Sequence, residues 1–149
     1  MDGIQPGTKK LTTRAALDDY VTGFNSDDFP RFCAYYAEDA VMNIPALQDK
    51  SLGAYIQWLK TLHTMVSEEL IPKKVDIDVP GAYVSVEYQV QFRGLGDFKT
   101  DNFNGRLGPV SNGTGPLVQM SLKYRLNPDG HIAQIEVGEF ALLKKASLE

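Results

Sequence analysis

The residue of this chain best suited to acid–base chemistry is His63, one of only two histidines in 149 residues. It follows Leu59 by four positions, so it falls in the apolar stripe of a helix predicted over residues 52–70. An imidazole there would face the interior, where it could accept or return a proton near neutral pH. The alternative is a core histidine bonded to a carbonyl or carboxylate. Glu68 and Glu69 are assigned to the solvated end of the same helix.

Three carboxylates are candidate catalytic partners for His63. Asp97 lies in a glycine-rich loop, residues 94–116, and such loops often carry functional groups unless the side chain is simply solvated. Glu87 lies on the polar side of an alternating strand; it is a surface or dimer-contact residue unless a bulge turns it inward. Glu136 has apolar neighbours on both sides in the last strand, so its direction stays open.

Aromatic side chains exceed the number that a minimal core needs, and some of them are expected to line a ligand cavity. The predicted substrate-binding residues are Tyr20, Phe24, Tyr36, Trp58, Tyr88 and Met120. Tyr20 and Tyr36 could donate a hydrogen bond to a substrate carbonyl. Trp58 falls just off the helical stripe, at a position suited to a cavity edge or a dimer contact.

The elements that would position these groups divide into helices and then strands. The chain is predicted to form helices from a cap at Thr12 or Thr13 to Asn25, and over residues 29–36 and 52–70. Alternation with a period of two predicts strands over residues 75–79, 84–92, 118–124 and 131–143, after a short one at 40–44. This order indicates one α+β domain over residues 1–149, with helices on one side of an antiparallel sheet and residues 1–11 as a loose lead-in.

Composition excludes several classes of function. The formal net charge is −4, and no run of lysine or arginine exceeds two residues, so no nucleic-acid or membrane-surface partner is expected. No apolar run approaches the roughly 18 residues that span a bilayer, and the N-terminus lacks a secretory core, so a cytoplasmic location is expected. The single cysteine, Cys33, is interpreted as a buried structural thiol. With two isolated histidines, a metal site is not expected.

The order of these elements resembles the SnoaL-like branch of the nuclear transport factor 2-like superfamily. Four segments that resemble family features are residues 35–41 (the exit into the first strand), 51–69 (the third helix), 84–87 (the first long strand) and 129–132 (the turn before the last strand). Residues 92–98 resemble SnoaL-like proteins of fungal secondary metabolism. The resemblance covers roughly residues 12–143.

The resemblance implies a cone-shaped α+β barrel, in which a curved antiparallel sheet wraps three N-terminal helices and encloses an apolar cavity. It also implies a homodimer. Relatives include polyketide cyclases, steroid isomerases, scytalone dehydratase, epoxide hydrolases and pure binding proteins, so the fold alone does not fix the function.

Two functions follow from the resemblance. The first is a cofactor-free isomerase, cyclase or dehydratase that acts by acid–base chemistry on a small apolar polyketide- or terpenoid-derived intermediate, with His63 as base or acid. The alternative is a non-catalytic small-molecule binding or dimerisation module of the same fold. An acid–base pair within hydrogen-bond reach inside the cavity would favour the enzyme. A protein-transport adaptor would instead need a large exposed apolar patch.

Overall fold

A curved, unclosed five-stranded sheet packs against three helices in the computed structural model, which describes residues 3–95 and 113–144. The strand order is β1-β5-β4-β3-β2. The elements in chain order are α1 (Arg14–Asn25), α2 (Phe29–Cys33), β1 (Tyr36–Asn43), α3 (Leu52–Leu62), β2 (Val66–Asp78), β3 (Tyr83–Gly94), β4 (Leu117–Leu126) and β5 (Ile132–Lys144). The predicted α+β class is confirmed.

Polar side chains begin each helix where the sequence predicts. Thr13 accepts a hydrogen bond from the Ala16 amide at 3.1 Å, and Ser51 caps α3 in the same way through Ala54. Asp28 caps α2, which carries a proline in its first turn. No helix in the described ranges is long and apolar enough to cross a membrane.

The third helix is shorter than predicted. It ends at Leu62 rather than residue 70, and residues from Val66 onward belong to β2. The apolar positions 59, 62, 66 and 70 fit a helical period, but Val66 and Leu70 also fit a period of two. Pairing with β3, which begins with Val66 opposite Gly94 and continues to Asp78 opposite Tyr83, favours the strand because it gives β2 backbone hydrogen-bond partners along one side. The second helix likewise ends at Cys33 rather than residue 36.

One pair of strands is parallel, so the sheet is mixed rather than wholly antiparallel as predicted. β1 runs parallel to β5, with Tyr36 opposite Ile132, while the other three pairs are antiparallel. The amide of Ile132 donates to the carbonyl of Tyr35 at 2.8 Å and draws the end of α2 onto the sheet. This contact explains why Tyr36 already belongs to a strand.

The lead-in is held against the domain, in contrast to the loose segment predicted. Ile4 and Leu11 are buried at 7% and 0% exposure. The amide of Leu11 donates to the carbonyl of Gly130 at 2.9 Å, and the His131 ring bonds the carbonyl of Lys9 at 2.7 Å. Residues 3–11 contain no helix or strand, but their buried side chains and backbone bonds order them.

The side chain of Asn25 joins the end of α1 to the edge strand β2. Its amide nitrogen donates to the carbonyl of Leu70 at 3.1 Å, and its oxygen accepts from the Leu70 amide at 2.8 Å. The side chain thus replaces the missing neighbour strand at this point of the sheet edge. It also fixes the loop after α1 beside the first residues of β2.

We expect Asn25→Ala to lower the free energy of unfolding by about 1–2 kcal/mol, because two backbone groups of Leu70 lose their partners. Urea denaturation measures the change. Thr22→Ala is the matched control, since that hydroxyl bonds only within α1 and its loss should cost less than about 0.5 kcal/mol. Equal effects of the two substitutions would contradict the bridging role of Asn25.

Candidate functional site

A cavity opens between the helices and the concave face of the sheet. The helical wall is formed by Tyr20 and Phe24 of α1 and by Tyr55, Trp58 and Leu59 of α3. The empty volume is about 670 Å³ including the open mouth.

The sheet wall of the cavity depends on an irregularity between β4 and β5. Met120 lies opposite Phe140, and Leu122 lies opposite Val137, so the register shifts between these pairs. An extra residue in β5 therefore lets Val137 and Phe140 both face the cavity although they differ in parity. The result is a broad apolar wall to which Tyr124 and Ile135 also contribute.

The mouth of the cavity is bordered by the segment after β1, where Ile44, Pro45 and Ala46 line the opening. The Lys50 ammonium group donates to the carbonyl of Ile44 at 2.7 Å and also to that of Leu47. These bonds fold the segment back on itself, so its apolar side chains are held at the rim.

Glu68 is the one ionisable carboxylate among the described residues that line the cavity. It lies two residues from Val66 and two from Leu70 in β2, so the three side chains share one face of the strand. Val66 and Leu70 are both buried, so Glu68 points to the concave face. Its side chain is only 7% exposed. A carboxylate this deep requires a partner, because an unpaired buried charge is costly.

His63 is that partner. It caps the C-terminus of α3, and its side chain is 6% exposed. Its Nε2 lies 2.9 Å from Oε1 of Glu68, and its Nδ1 lies 2.5 Å from Oδ1 of Asp27. The ring stands perpendicular to that of Phe24, with centroids 5.7 Å apart. His63 therefore lies behind the cavity wall and reaches the cavity through Glu68.

Asp27 closes the arrangement on the solvent side. It follows α1 with a φ of 54°, a left-handed conformation that aspartate tolerates better than most residues. Its side chain is 57% exposed, against 6% for the imidazole beside it. Asp27, His63 and Glu68 thus form a continuous hydrogen-bonded line from solvent to the cavity, which we name the Asp27–His63–Glu68 line.

The two carboxylates decide the protonation of the imidazole. Burial alone would lower the pKa of His63, but the hydrogen bond and negative charge of Glu68, together with Asp27, raise it above the ordinary value of 6.5. The protonated ring can donate from both nitrogens, one to each carboxylate.

Five buried tyrosines lie in the cavity wall or directly behind it. The hydroxyls of Tyr20 and Tyr36 are hydrogen-bonded to each other, and those of Tyr88 and Tyr124 are 2.8 Å apart. Burial raises the pKa of all four hydroxyls and of Tyr55, so each stays protonated as a donor. Tyr20, Tyr55 and Tyr124 line the cavity.

The predicted carboxylate partners of His63 lie elsewhere. Glu87 is on the outer face of the sheet, where Gln119 donates to it at 2.7 Å. Glu136 also points outward, because its neighbours Ile135 and Val137 line the cavity, and it pairs with Arg125 at 3.1 Å. Asp97 lies outside the described residues.

The predicted substrate-binding residues divide into two groups. Tyr20, Phe24, Trp58 and Met120 line the cavity. Tyr36 and Tyr88 are fully buried behind its wall, where Tyr36 contacts the lining residues Tyr20 and Tyr55 and Tyr88 contacts Tyr124.

Sequence reasoning missed Glu68 and Asp27. A third helix that continues to residue 70 places Glu68 at a solvated helix end, and Asp27 follows the first helix without any spacing that marks it as a site residue. The spacing of two between Val66, Glu68 and Leu70, ahead of a proline, is the signal that could have identified a strand with an inward carboxylate.

Two other kinds of chemistry find little support in the described residues. Cys33 is buried, as predicted, and burial raises the pKa of its thiol to about 12, which disfavours the nucleophilic thiolate. Within residues 3–95 and 113–144, no group of three His, Cys, Asp or Glu side chains is arranged to hold a metal ion.

Comparison with known proteins identifies the fold. No family model and no curated protein matches the chain. A proposed polyketide cyclase from Pseudomonas putida KT2440 superposes with a TM-score of 0.66 at 18% identity, over 91% of this chain and 92% of the other. An NTF2-like protein of unknown function from Cytophaga hutchinsonii gives 0.57 at 18% identity, over 89% and 92%. A limonene-epoxide-hydrolase-like (LEH-like) epoxide hydrolase of Mycobacterium tuberculosis gives 0.60 at 14% identity, over 86% and 82%.

The raised pKa of His63 should make the free energy of unfolding depend on pH. Because the folded state holds the proton more tightly than the unfolded chain, the contribution of His63 is complete below pH 6.5 and is lost as pH rises through the folded-state pKa. The advantage of the wild type over His63→Asn in free energy of unfolding should therefore shrink with rising pH. Urea denaturation between about pH 5.5 and pH 9 measures it.

His131→Asn is the control, because it removes the other histidine and leaves the Asp27–His63–Glu68 line intact. An advantage over His63→Asn that stays constant or grows as pH rises would contradict the assigned protonation.

Proposed function

We propose that this chain, whose fold is that of the nuclear transport factor 2-like superfamily, is a cofactor-free enzyme in which Glu68 moves a proton on a small apolar substrate. The observation that carries the proposal is the placement of Glu68, a carboxylate in an otherwise apolar and aromatic cavity, bonded to a buried imidazole. Buried carboxylates with a specific partner occur more often at functional sites than in ordinary cores.

Glu68 is suited to act as a general base. Its Oε1 is bonded to His63, which leaves the second carboxylate oxygen for a substrate C–H or O–H group. In this scheme Glu68 removes a proton beside a carbonyl, and an enolate forms. Return of that proton to a different carbon completes an isomerisation. Attack of the enolate on a second carbonyl forms a carbon–carbon bond and an alkoxide, and return of the proton from Glu68 to the alkoxide completes a cyclisation. His63, which is also bonded to Asp27, orients the Glu68 carboxylate by donating a hydrogen bond to it.

Tyr55 is the candidate donor to the substrate carbonyl. It lines the cavity on α3, and burial together with the negative charge of Glu68 raises the pKa of its hydroxyl. Tyr55 and Glu68 both line the cavity. A phenol that stays protonated can stabilise an enolate oxygen while the carboxylate works on the neighbouring carbon.

The substrate class is proposed from the cavity and from the neighbours. The lining is dominated by aliphatic and aromatic side chains, which suit a polyketide- or terpenoid-derived molecule. Structural neighbours described as a proposed polyketide cyclase and an epoxide hydrolase support an enzymatic role on this fold. The homodimer expected from the sequence stays a prediction.

Glu68→Gln should reduce turnover by roughly 10²- to 10⁴-fold, because the amide cannot accept the proton. The assay incubates a panel of enolisable polyketide- and terpenoid-derived ketones with the protein in deuterium oxide. Mass spectrometry then follows deuterium incorporation and product formation. Glu69→Gln is the matched control, since Glu69 is the next residue but pairs with Arg93 on the outer face, 48% exposed.

Two results would contradict the proposal. If ligands of the panel bind the wild type but none is exchanged or converted, the chain is a binding module of this fold. If Glu68→Gln retains the rate of the wild type, another residue is the base.

A further inference from the structure

The described lining of the cavity carries charge of one sign only. Glu68 is its single charged residue, and none of the described lining residues is a lysine, an arginine or a histidine. Of the cationic groups nearby, His63 is committed to two carboxylates and lies behind Glu68 rather than in the wall, and the Lys50 ammonium group is bonded to the carbonyls of Ile44 and Leu47.

The Asp27–His63–Glu68 line is negative in either state of the imidazole. With His63 protonated, two carboxylates and one cation sum to −1, and with His63 neutral they sum to −2. Solvent screens Asp27, which is 57% exposed, but not Glu68, which is 7% exposed. A ligand in the cavity therefore lies next to a net negative charge in a poorly screened environment.

The aromatic wall acts in the same direction. Six aromatic side chains line the cavity, those of Tyr20, Phe24, Tyr55, Trp58, Tyr124 and Phe140. Aromatic faces carry partial negative charge and attract cations. Two of the three tyrosine hydroxyls in the wall are engaged, because the Tyr20 hydroxyl bonds that of Tyr36 and the Tyr124 hydroxyl bonds that of Tyr88, while that of Tyr55 is the donor proposed for the substrate carbonyl.

We propose that this cavity selects apolar ligands by charge, binding uncharged and cationic ones and excluding anions, with Glu68 as the determinant. The inference rests on the proposed function, because the cavity that selects by charge is the proposed active site. It narrows the class of substrate. Substrates would be neutral or ammonium-bearing molecules without a free carboxylate, sulfonate or phosphate. The reaction that supplies such a substrate must leave any acid group esterified, lactonised or removed.

The test compares three naphthylamine probes by fluorescence titration of the full chain. N-Phenyl-1-naphthylamine is neutral, 8-anilino-1-naphthalenesulfonate is its anionic counterpart, and N-(1-naphthyl)ethylenediamine is cationic. The wild type should bind the neutral probe at least about tenfold more tightly than the sulfonate. Glu68→Gln should reduce that preference by about tenfold and weaken the cationic probe, whereas Glu69→Gln should behave as the wild type.

Comparable binding of the neutral and anionic probes to the wild type would overturn the inference, as would an unchanged preference in Glu68→Gln. The comparison on the wild type decides the matter even if Glu68→Gln does not fold. Failure of the proposed function is distinguishable, because charge selection without turnover indicates a selective binding module. If turnover requires Glu68 but the cavity binds the sulfonate as tightly as the neutral probe, the proposed enzymatic function stands and the proposed charge selectivity is wrong.

Discussion

The pairing of one imidazole with two carboxylates from distant parts of the chain is the interaction on which the site depends. Asp27 comes from the loop after α1, His63 from the end of α3 and Glu68 from the edge strand β2, so the ring joins three elements. Neither His63 nor Glu68 could be buried alone without a large desolvation cost. The two carboxylates stabilise the ring where it packs against Phe24, and the bonds hold the loop after α1 and the end of α3 beside β2.

The cavity is shaped by constraints on the sheet. β2 is an edge strand, and the side chain of Asn25 completes its hydrogen bonding where Leu70 approaches α1. At the other side, the register shift between β4 and β5 turns Val137 and Phe140 inward together. Because Glu68 is the one charged group in the described wall, the charge that a ligand meets is concentrated at a single point. Catalysis by Glu68 and selection by charge are thus two consequences of one placement.

The fold could be predicted from the sequence because periodicity and caps report on local structure. Thr13 and Ser51 begin their helices where their types indicate, and β3 follows its alternation. The partners of His63 could not be predicted in this way. The apolar residues 59, 62, 66 and 70 fit one continuous helix, and they fit equally well a helix that ends before residue 66 and is followed by a strand. Only the pairing of β2 with β3, a long-range interaction, decides between them and turns Glu68 from a helix end into the cavity wall.

The most direct test of the coupling between His63 and Glu68 is a nitrogen-15 NMR titration of the His63 ring in the wild type and in Glu68→Gln. We predict a midpoint above 6.5 in the wild type, with both ring nitrogens protonated below it, and a lower midpoint in the variant. A wild-type midpoint at or below 6.5, or one that Glu68→Gln leaves unchanged, would contradict it.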